Sequence, residues 1–167
     1  MEDATHAKKT SESVDSSKAR QNAGMNTSYE TDVIAWANEQ AAHIRAGRFD
    51  QLDLTHIAEE IEDVGKSEQR ELASRMAVLL AHLLKWKFQR AKRSKSWELT
   101  IKNQRVAVAK RIRRTPSLQL MLTDIEWIED MWGDALEQAT NETGLDTFSE
   151  VCPWTMADVL MEDWLPE

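Results

Sequence analysis

Four residues near position 60 have the types and the spacing of a metal or proton-transfer site. His56 and Glu60 form one pair at a spacing of four residues, and Glu59 and Asp63 form a second. Residues at this spacing share one face of an α helix, where their side chains can chelate one ion or share one proton. The pattern is more typical of a solvated acidic face, because no Glu-x-x-His pair is present and no second helix clearly supplies matching carboxylates. The sequence leaves both interpretations open.

Three polar residues further along the chain interrupt apolar helix faces. His82 lies among apolar residues, where it is either a hydrogen-bonded boundary residue or a ligand or charged partner for the upstream acids. Because an unpaired buried guanidinium is costly, we expect Arg105 to contact one of the upstream carboxylates, as an interior salt bridge first and a functional site second. The candidate polar cluster is Glu59, Glu60, Asp63, His82, Gln104 and Arg105.

A basic zone follows these residues. The candidate basic surface consists of Lys92, Arg93, Lys95, Lys102, Lys110, Arg113 and Arg114. Basic helices with nearby aromatic residues can bind phosphate backbones. No helix-turn-helix, zinc-finger or homeodomain pattern accompanies the zone, so the sequence does not support the recognition of bases. The competing interpretation is charge pairing with acidic residues of the same chain or of a second copy.

The charge of the chain is segregated into blocks. Its 167 residues include 21 Lys and Arg against 29 Asp and Glu, which gives a net charge of −8. The net charge is −7 over residues 28–65, +12 over residues 66–114 and −13 over residues 115–167. The net value therefore conceals a basic region between two acidic ones, and such blocks favour binding through charged surfaces.

Several classes of protein find no support in the sequence. It contains no P-loop, no dinucleotide-binding glycine motif, no Gly-x-Ser-x-Gly elbow and no His-Glu-x-x-His motif. A single cysteine, Cys152, excludes an intramolecular disulfide framework and favours a reducing cytoplasm. No apolar run approaches the roughly 20 residues that span a bilayer. We therefore expect no membrane association and no cofactor, and the sequence leaves open whether the protein has a small-molecule substrate.

The elements that must position these residues are helices. Residues 1–26 lack the apolar content of a folded segment and are predicted to be a disordered extension of a single all-helical domain over residues 27–167. Thr27 and Glu30 have capping-box spacing before a helix whose core face carries Val33, Ile34, Ala37 and Ala41 and which ends at Gly47.

Later helices are predicted from caps and apolar periodicity. A short helix runs from Asp53 to Gly65 with Leu54, Ile57, Ile61 and Val64 on its core face. A long helix follows from about Ser67 to Arg90, and its apolar stripe consists of Leu72, Met76, Leu79, Leu80, Leu83 and Trp86. Ser94 or Ser96 caps a helix that Pro116 ends, Ser117 caps one that ends at Gly144, and Thr155 begins the last. The predicted fold class is all-α, a helical bundle of five to six amphipathic helices built around one long central helix.

Short motifs along the chain resemble a known bacterial family. They include Tyr29 to Asp32 with Trp36, Glu59 to Gly65, His82 to Trp86, Ser96-Trp97 with Gln104-Arg105, Cys152 to Thr155, and Trp164 to Pro166. This pattern resembles the family catalogued as domain of unknown function 29 over about residues 28–166. The resemblance implies a small all-helical protein in a bacterial cytoplasm, and it implies no catalytic residues.

The sequence supports one leading functional hypothesis and two alternatives. The leading one is a cytoplasmic bundle that binds a protein partner or a second copy of itself through its segregated charged surfaces. The first alternative is association with nucleic acid through the basic region of residues 85–114. The second is a metal-dependent or acid/base enzyme that uses Glu59, Glu60, Asp63 and His82.

Overall fold

A computed structural model describes residues 28–167 of the chain, and this part is all-α, as predicted. Its five α helices are α1 (Val33–Arg45), α2 (Leu54–Phe88), α3 (Lys95–Arg114), α4 (Ile125–Thr143) and α5 (Met156–Leu160). Short 3-10 helices cover Phe49–Gln51, Arg90–Lys92 and Pro116–Thr123. The chain divides into two compact units, Met1–Glu59 and Glu60–Glu167. The predicted disorder of residues 1–26 and the predicted cap at Thr27 lie outside the described residues.

Helix α1 of the first unit has a defined cap at each end. The side chain of Asp32 accepts hydrogen bonds from the amides of Ile34 and Ala35 at 3.1 and 3.0 Å. At the other end Gly47 has a φ of +70°, and the Arg48 amide donates to the His43 carbonyl at 3.0 Å. This closing pattern is a Schellman motif, which confirms the predicted role of Gly47 as the residue that ends the helix.

Helix α2 is longer than predicted, because Gly65 does not end a helix. The structure has one continuous helix of 35 residues where the sequence analysis expected two. An isolated glycine costs a helix only about 1 kcal/mol relative to alanine. The glycine is flanked by Asp63 and Lys66, which form an ion pair at 3.2 Å across one helical turn. The helix continues through Gly65 despite this cost, and the prediction of a break there is wrong.

The core of the second unit forms around the predicted stripe of α2. Leu72, Met76, Leu79, Leu80 and Leu83 are fully buried, which confirms these five members of the stripe, and the sixth member, Trp86, is half-buried. The five buried members belong to one hydrophobic cluster with Ile101 and Val108 of α3, Met131, Trp132, Ala135 and Ala139 of α4, and Val159 of α5. This cluster fixes the relative positions of the polar residues on α2, α3 and α4 of the second unit.

Two further helix starts test the predicted caps. Ser94, rather than Ser96, caps α3 by accepting from the Trp97 amide at 3.4 Å. The cap predicted at Ser117 is wrong, because that residue lies inside a 3-10 helix and α4 begins eight residues later at Ile125. Asp124 caps α4 instead by accepting from the Trp127 amide at 3.0 Å. A carboxylate at this position also interacts favourably with the helix dipole.

The C-terminal segment is anchored on the second unit by tryptophans. The rings of Trp132 and Trp154 meet edge to face at 5.9 Å, and those of Trp154 and Trp164 meet at 5.6 Å. Thr155 caps α5 as predicted, through a hydrogen bond from the Asp158 amide at 3.1 Å. Across residues 28–167, none of the helices combines the length and apolar character that crossing a membrane requires.

Candidate functional site

The candidate polar cluster does not converge on one site. Asp63 and His82 lie on the same continuous helix, 19 residues apart, which corresponds to about 28 Å along its axis. Asp63 is exposed and pairs with Lys66. Among the described residues no group of three or more His, Cys, Asp or Glu side chains could hold a metal ion. Asp63 and His82 are therefore too far apart to share one site, and the described residues of the cluster do not form a metal site.

Arg105 contacts carbonyls rather than the carboxylate that the sequence analysis expected. Its Nε and Nη1 donate to the backbone oxygens of Val159 and Glu162 at 2.9 and 2.7 Å, and its Nη2 donates to that of Trp164 at 2.5 Å. Burial lowers the pKa of Arg105, and the charge of Asp163 opposes this shift. The guanidinium therefore fastens the C-terminal segment to α3, which is a structural role.

The neighbouring Gln104 carries an unsatisfied polar atom. Its side chain is half-buried, and its Oε1 is buried without a hydrogen-bond partner among the described residues. No charged group of the candidate polar cluster reaches this oxygen. The sequence correctly placed Gln104 beside the apolar seam, but the structure provides it with no chemical role.

His82 belongs to a partly buried network around the buried Lys85. Lys85 is only 5% exposed and forms an ion pair with Glu142, while its Nζ also lies 5.1 Å from the centre of the Trp97 ring. His82 Nδ1 lies 2.8 Å from the Val78 carbonyl, which places its proton there, and Nε2 faces Lys85 Nζ at 3.4 Å. Burial, with the charge of Lys85, lowers the pKa of His82. The neutral histidine is therefore the hydrogen-bonded boundary residue of the first interpretation.

The first unit contains a histidine–carboxylate pair, formed by His56 and Asp53. Asp53 Oδ1 caps α2 by accepting from the His56 amide at 3.3 Å, and its Oδ2 lies 2.6 Å from His56 Nδ1. The Trp36 Nε1 donates to the same Oδ2 at 3.2 Å. Tyr29 stacks on the imidazole with ring centres 4.2 Å apart. Sequence reasoning paired His56 with Glu60 instead, although the spacing of three residues between an N-cap aspartate and a histidine was the available signal.

Helix α1 turns its apolar stripe away from its buried face. At 100° per residue Ile34, Ala37, Ala41 and Ile44 lie within about 80° of one another, and we call them the α1 apolar stripe. Ile34 and Ile44 are 73% and 47% exposed. The prediction that Val33, Ile34, Ala37 and Ala41 face the core is therefore wrong for Val33, Ile34 and Ala37, all of which are exposed.

Polar residues occupy the buried face of the same helix. Trp36, Gln40 and His43 are buried, about 180–240° around the helix from Ile34. Gln40 Oε1 accepts from the Asp53 amide at 2.9 Å, and His43 Nδ1 accepts from Arg48 Nε at 3.1 Å. These hydrogen bonds, with the anchoring of Trp36 to Asp53, select which face is buried. Periodicity alone could not reveal this, because it counts apolar residues and not the partners of polar ones.

Large apolar side chains in the 3-10 helix after α1 and in the first part of α2 are also exposed to solvent. Phe49 and Leu54 are 66% and 67% exposed. The predicted core face of the first part of α2 is uncovered as well, since Ile61 and Val64 are exposed and Ile57 is only half-buried. The structure thus leaves exposed a set of residues that the sequence pattern assigns to a core.

The candidate basic surface is exposed and is not neutralised by the acidic C-terminal block. All seven of its predicted residues are exposed. Arg93 covers the ring of Trp86 at 4.8 Å and donates to the Trp86 carbonyl, and Arg114 lies 3.5 Å from Glu68. Among the ion pairs of the described residues, Lys85–Glu142 is the one that joins the basic residues 66–114 to the acidic residues 115–167. The intramolecular charge pairing considered for these blocks is therefore slight.

A basic cavity of about 300 Å³ lies between α2 and α3. Its lining residues are Arg75, Ala107, Lys110, Arg111 and Arg114. Sequence reasoning named Lys110 and Arg114 as surface residues but did not bring Arg75 next to them. The signal was weak, because 35 residues separate Arg75 from Lys110 and only the packing of two helices joins them.

Cys152 lies in an apolar cavity of about 410 Å³, whose lining includes Ile128, Trp132 and Trp154. Burial raises the pKa of its thiol, which therefore stays protonated at neutral pH. The Sγ donates to the Trp154 carbonyl at 3.5 Å. These surroundings suit a packed side chain and not a nucleophile.

The family resemblance is confirmed by comparison with known families. The family described as domain of unknown function DUF29 matches residues 28–165, which includes every helix described above. The chain belongs to this family. No curated protein and no solved structure gives a significant match. Membership in the DUF29 family thus agrees with the all-α fold and assigns no activity to any residue.

Proposed function

We propose that this protein is a protein-interaction module that binds a basic, amphipathic segment of a partner on the α1 apolar stripe. The observation that carries the proposal is the orientation of α1, which exposes Ile34 and Ile44 while it buries Gln40 and His43. An amphipathic helix gains most of its stability by burying its apolar face. A helix that leaves this face open in the single chain is therefore suited to bury it against another protein.

The charge around the stripe favours a basic partner. The described residues of the first unit, 28–59, contain six acidic residues and two basic ones, a net charge of −4. Exposed acids on this unit include Glu30, Asp32 and Asp50. A partner that presents lysine or arginine around aliphatic side chains would match both the apolar stripe and this charge. A symmetric pairing of two identical stripes would place two acidic units against each other.

The residues before α1 do not have the composition that would match the α1 apolar stripe. Residues 1–27 contain four acidic and four basic residues, and Val14 is their single branched aliphatic residue. That composition supplies neither the apolar side chains nor the positive charge that the stripe would match. We therefore expect the α1 apolar stripe of this acidic unit to bind a segment of another protein.

Binding to a synthetic amphipathic peptide of leucine and lysine tests the proposal. A peptide of the same pattern with glutamate in place of lysine serves as the charge control. We expect the lysine peptide to bind and the glutamate peptide not to bind, as measured by fluorescence anisotropy of the labelled peptides. Equal binding of both peptides, or of neither, would contradict the proposal.

Substitutions then locate the binding surface. The double variant Ile34→Ser with Ile44→Ser should weaken lysine-peptide binding by about tenfold or more, because each serine removes an apolar contact. The matched control is Leu99→Ser with Val106→Ser, which changes two aliphatic residues that are both 58% exposed on α3. Circular dichroism checks that both double variants keep their helices. Equal losses in both would place the binding elsewhere, and a dimer dissolved by Ile34→Ser would show that the occupant is a second copy.

The exposed basic surface favours a second candidate function, association with nucleic acid. Lys92, Lys95, Lys102, Lys110 and Arg113 are exposed and take part in no ion pair among the described residues. Retention on heparin and binding to duplex DNA should then fall steeply with salt, because phosphate contacts release counterions. Flow-through on heparin at low salt would reject this candidate.

A further inference from the structure

We infer that the cavity between α2 and α3 is a binding site for a phosphate monoester group. Arg75 reaches the cavity from α2, and Lys110, Arg111 and Arg114 reach it from α3. Its lining consists of these four cations and Ala107, without a carboxylate. A concave surface lined by charges of one sign concentrates the field, and here the field attracts an anion.

Two glutamates next to the cavity hold its arginines in place. Glu68 contacts both Arg111, at 2.6 Å, and Arg114, at 3.5 Å. Glu71 contacts both Arg75, at 2.7 Å, and Arg111, at 3.4 Å. A shared carboxylate fixes two guanidinium groups at once and uses few of the five N–H donors that each arginine carries. The remaining donors are therefore positioned before any ligand arrives, which lowers the entropy cost of binding.

The balance of charge indicates the class of anion. Four cations against Glu68 and Glu71 leave a surplus of two positive charges. A phosphate monoester carries about −1.5 to −2 at neutral pH, which matches this surplus, whereas a diester carries a single negative charge. Guanidinium groups bind phosphate oxygens in a bidentate geometry that a lysine alone does not provide.

Ala107 keeps the cavity open on α3. It precedes Lys110 and Arg111 by three and four residues, so all three share the surface of the same helical turn. A water molecule occupies about 30 Å³ in the liquid, and the cavity volume of about 300 Å³ leaves room for a tetrahedral anion with its substituent. A larger side chain at position 107 would fill this space without changing any charge.

Calorimetric titration with methyl phosphate, inorganic phosphate and dimethyl phosphate tests the inference, with sodium chloride at equal ionic strength as the reference. We expect methyl phosphate to bind and dimethyl phosphate and chloride to give no saturable heat. If inorganic phosphate binds as tightly as methyl phosphate, the anion site is supported and its ligand is free phosphate and not a phosphate ester. Absence of saturable binding by both methyl phosphate and inorganic phosphate would overturn the inference.

Two variants assign the binding to the cavity. Arg75→Gln and Ala107→Leu should each weaken methyl phosphate binding by about tenfold or more, the first by removing a donor and the second by filling space. Lys102→Gln removes an exposed cation of α3 outside the cavity and should change the affinity by less than about twofold. An equal loss in Lys102→Gln would show diffuse attraction and overturn the site. The Ile34→Ser and Ile44→Ser variant should bind methyl phosphate normally, so this site and the proposed protein-binding stripe can fail separately.

Discussion

His56 and Asp53 form a short hydrogen-bonded pair in the first unit, with His56 Nδ1 2.6 Å from Asp53 Oδ2. The same aspartate caps α2 through its other oxygen. One carboxylate therefore joins the start of α2, the imidazole and the indole of Trp36. The backbone amide of Asp53 also donates to Gln40 Oε1, so this residue holds the face of α1 that carries Trp36 and Gln40.

The pair should make the stability of the first unit depend on pH. The hydrogen bond with Asp53 raises the pKa of His56 above its ordinary 6.5, and the same bond lowers the pKa of Asp53 below 3.8. The contribution of His56 is full below pH 6.5 and is lost as the pH rises through its raised pKa. The contribution of Asp53 is present above pH 3.8 and is lost as the pH falls through its lowered pKa. The pair therefore stabilises this unit most between those two values.

An NMR titration of the His56 ring protons measures this directly. In Asp53→Asn the pKa of His56 should return toward 6.5. The free energy of opening of the α1 amides, obtained from hydrogen exchange after correction for the intrinsic exchange rates, should then vary less between pH 6 and 8. The control is Glu59→Gln, which removes a weaker charge effect on His56 and should shift its pKa less. A pKa of His56 that stays unchanged in Asp53→Asn would contradict the assigned pair.

The Lys85–Glu142 pair should respond unequally to the loss of each partner. Glu142→Gln leaves the ammonium of a 5% exposed lysine without its carboxylate, whereas Lys85→Met leaves a glutamate whose side chain is 39% exposed. Because one partner is partly exposed, we expect Glu142→Gln to lower the free energy of unfolding by about 1–3 kcal/mol and Lys85→Met by less than about 1 kcal/mol. Urea unfolding followed by circular dichroism measures both. The opposite order would show that the contacts of the ammonium with Trp97 and His82 stabilise this site more than its pairing with Glu142 does.

Arg105 should control the docking of the C-terminal segment. Arg105→Met leaves the carbonyls of Val159, Glu162 and Trp164 without their donor, and we expect a loss of about 2–4 kcal/mol. The tryptophans of that segment should then become more exposed, which shifts the fluorescence to longer wavelength and admits proteases after Thr155. Lys102→Met, on the exposed side of the same helix, should leave both measurements unchanged. Intact protease resistance in Arg105→Met would show that the tryptophan contacts alone dock the segment.

Helix periodicity predicted those parts of the fold in which burial follows apolar character. The stripe from Leu72 to Leu83 was correctly assigned to the core because its neighbours on α3 and α4 are apolar as well. The same logic was wrong for Ile34, because Gln40 and His43 find hydrogen-bond partners and take the buried side. Which face of an amphipathic helix is buried depends on contacts that are distant in sequence.

The candidate sites show the same limit. The expected partner of Arg105 was a carboxylate, since a single sequence cannot show that three backbone carbonyls from residues 159–164 converge on it. Asp63 and His82 were placed in one candidate cluster because a break at Gly65 would have let their two helices pack against each other. The continuous helix removes that freedom and separates them.

Gly65 and Gly144 should respond in opposite directions to replacement by alanine. Gly65 lies inside α2 with open space where a Cβ would stand, so Gly65→Ala should stabilise the helix by about 0.5–1 kcal/mol through lower backbone entropy in the unfolded chain. Gly144 ends α4 at a φ of +70°, where a Cβ is strained, so Gly144→Ala should cost about 1–2 kcal/mol. Urea unfolding and hydrogen exchange of the amides on either side of each position measure the two effects. Destabilisation by Gly65→Ala would show that α2 needs a hinge at this glycine, and the long helix would then be one of two states that the chain adopts.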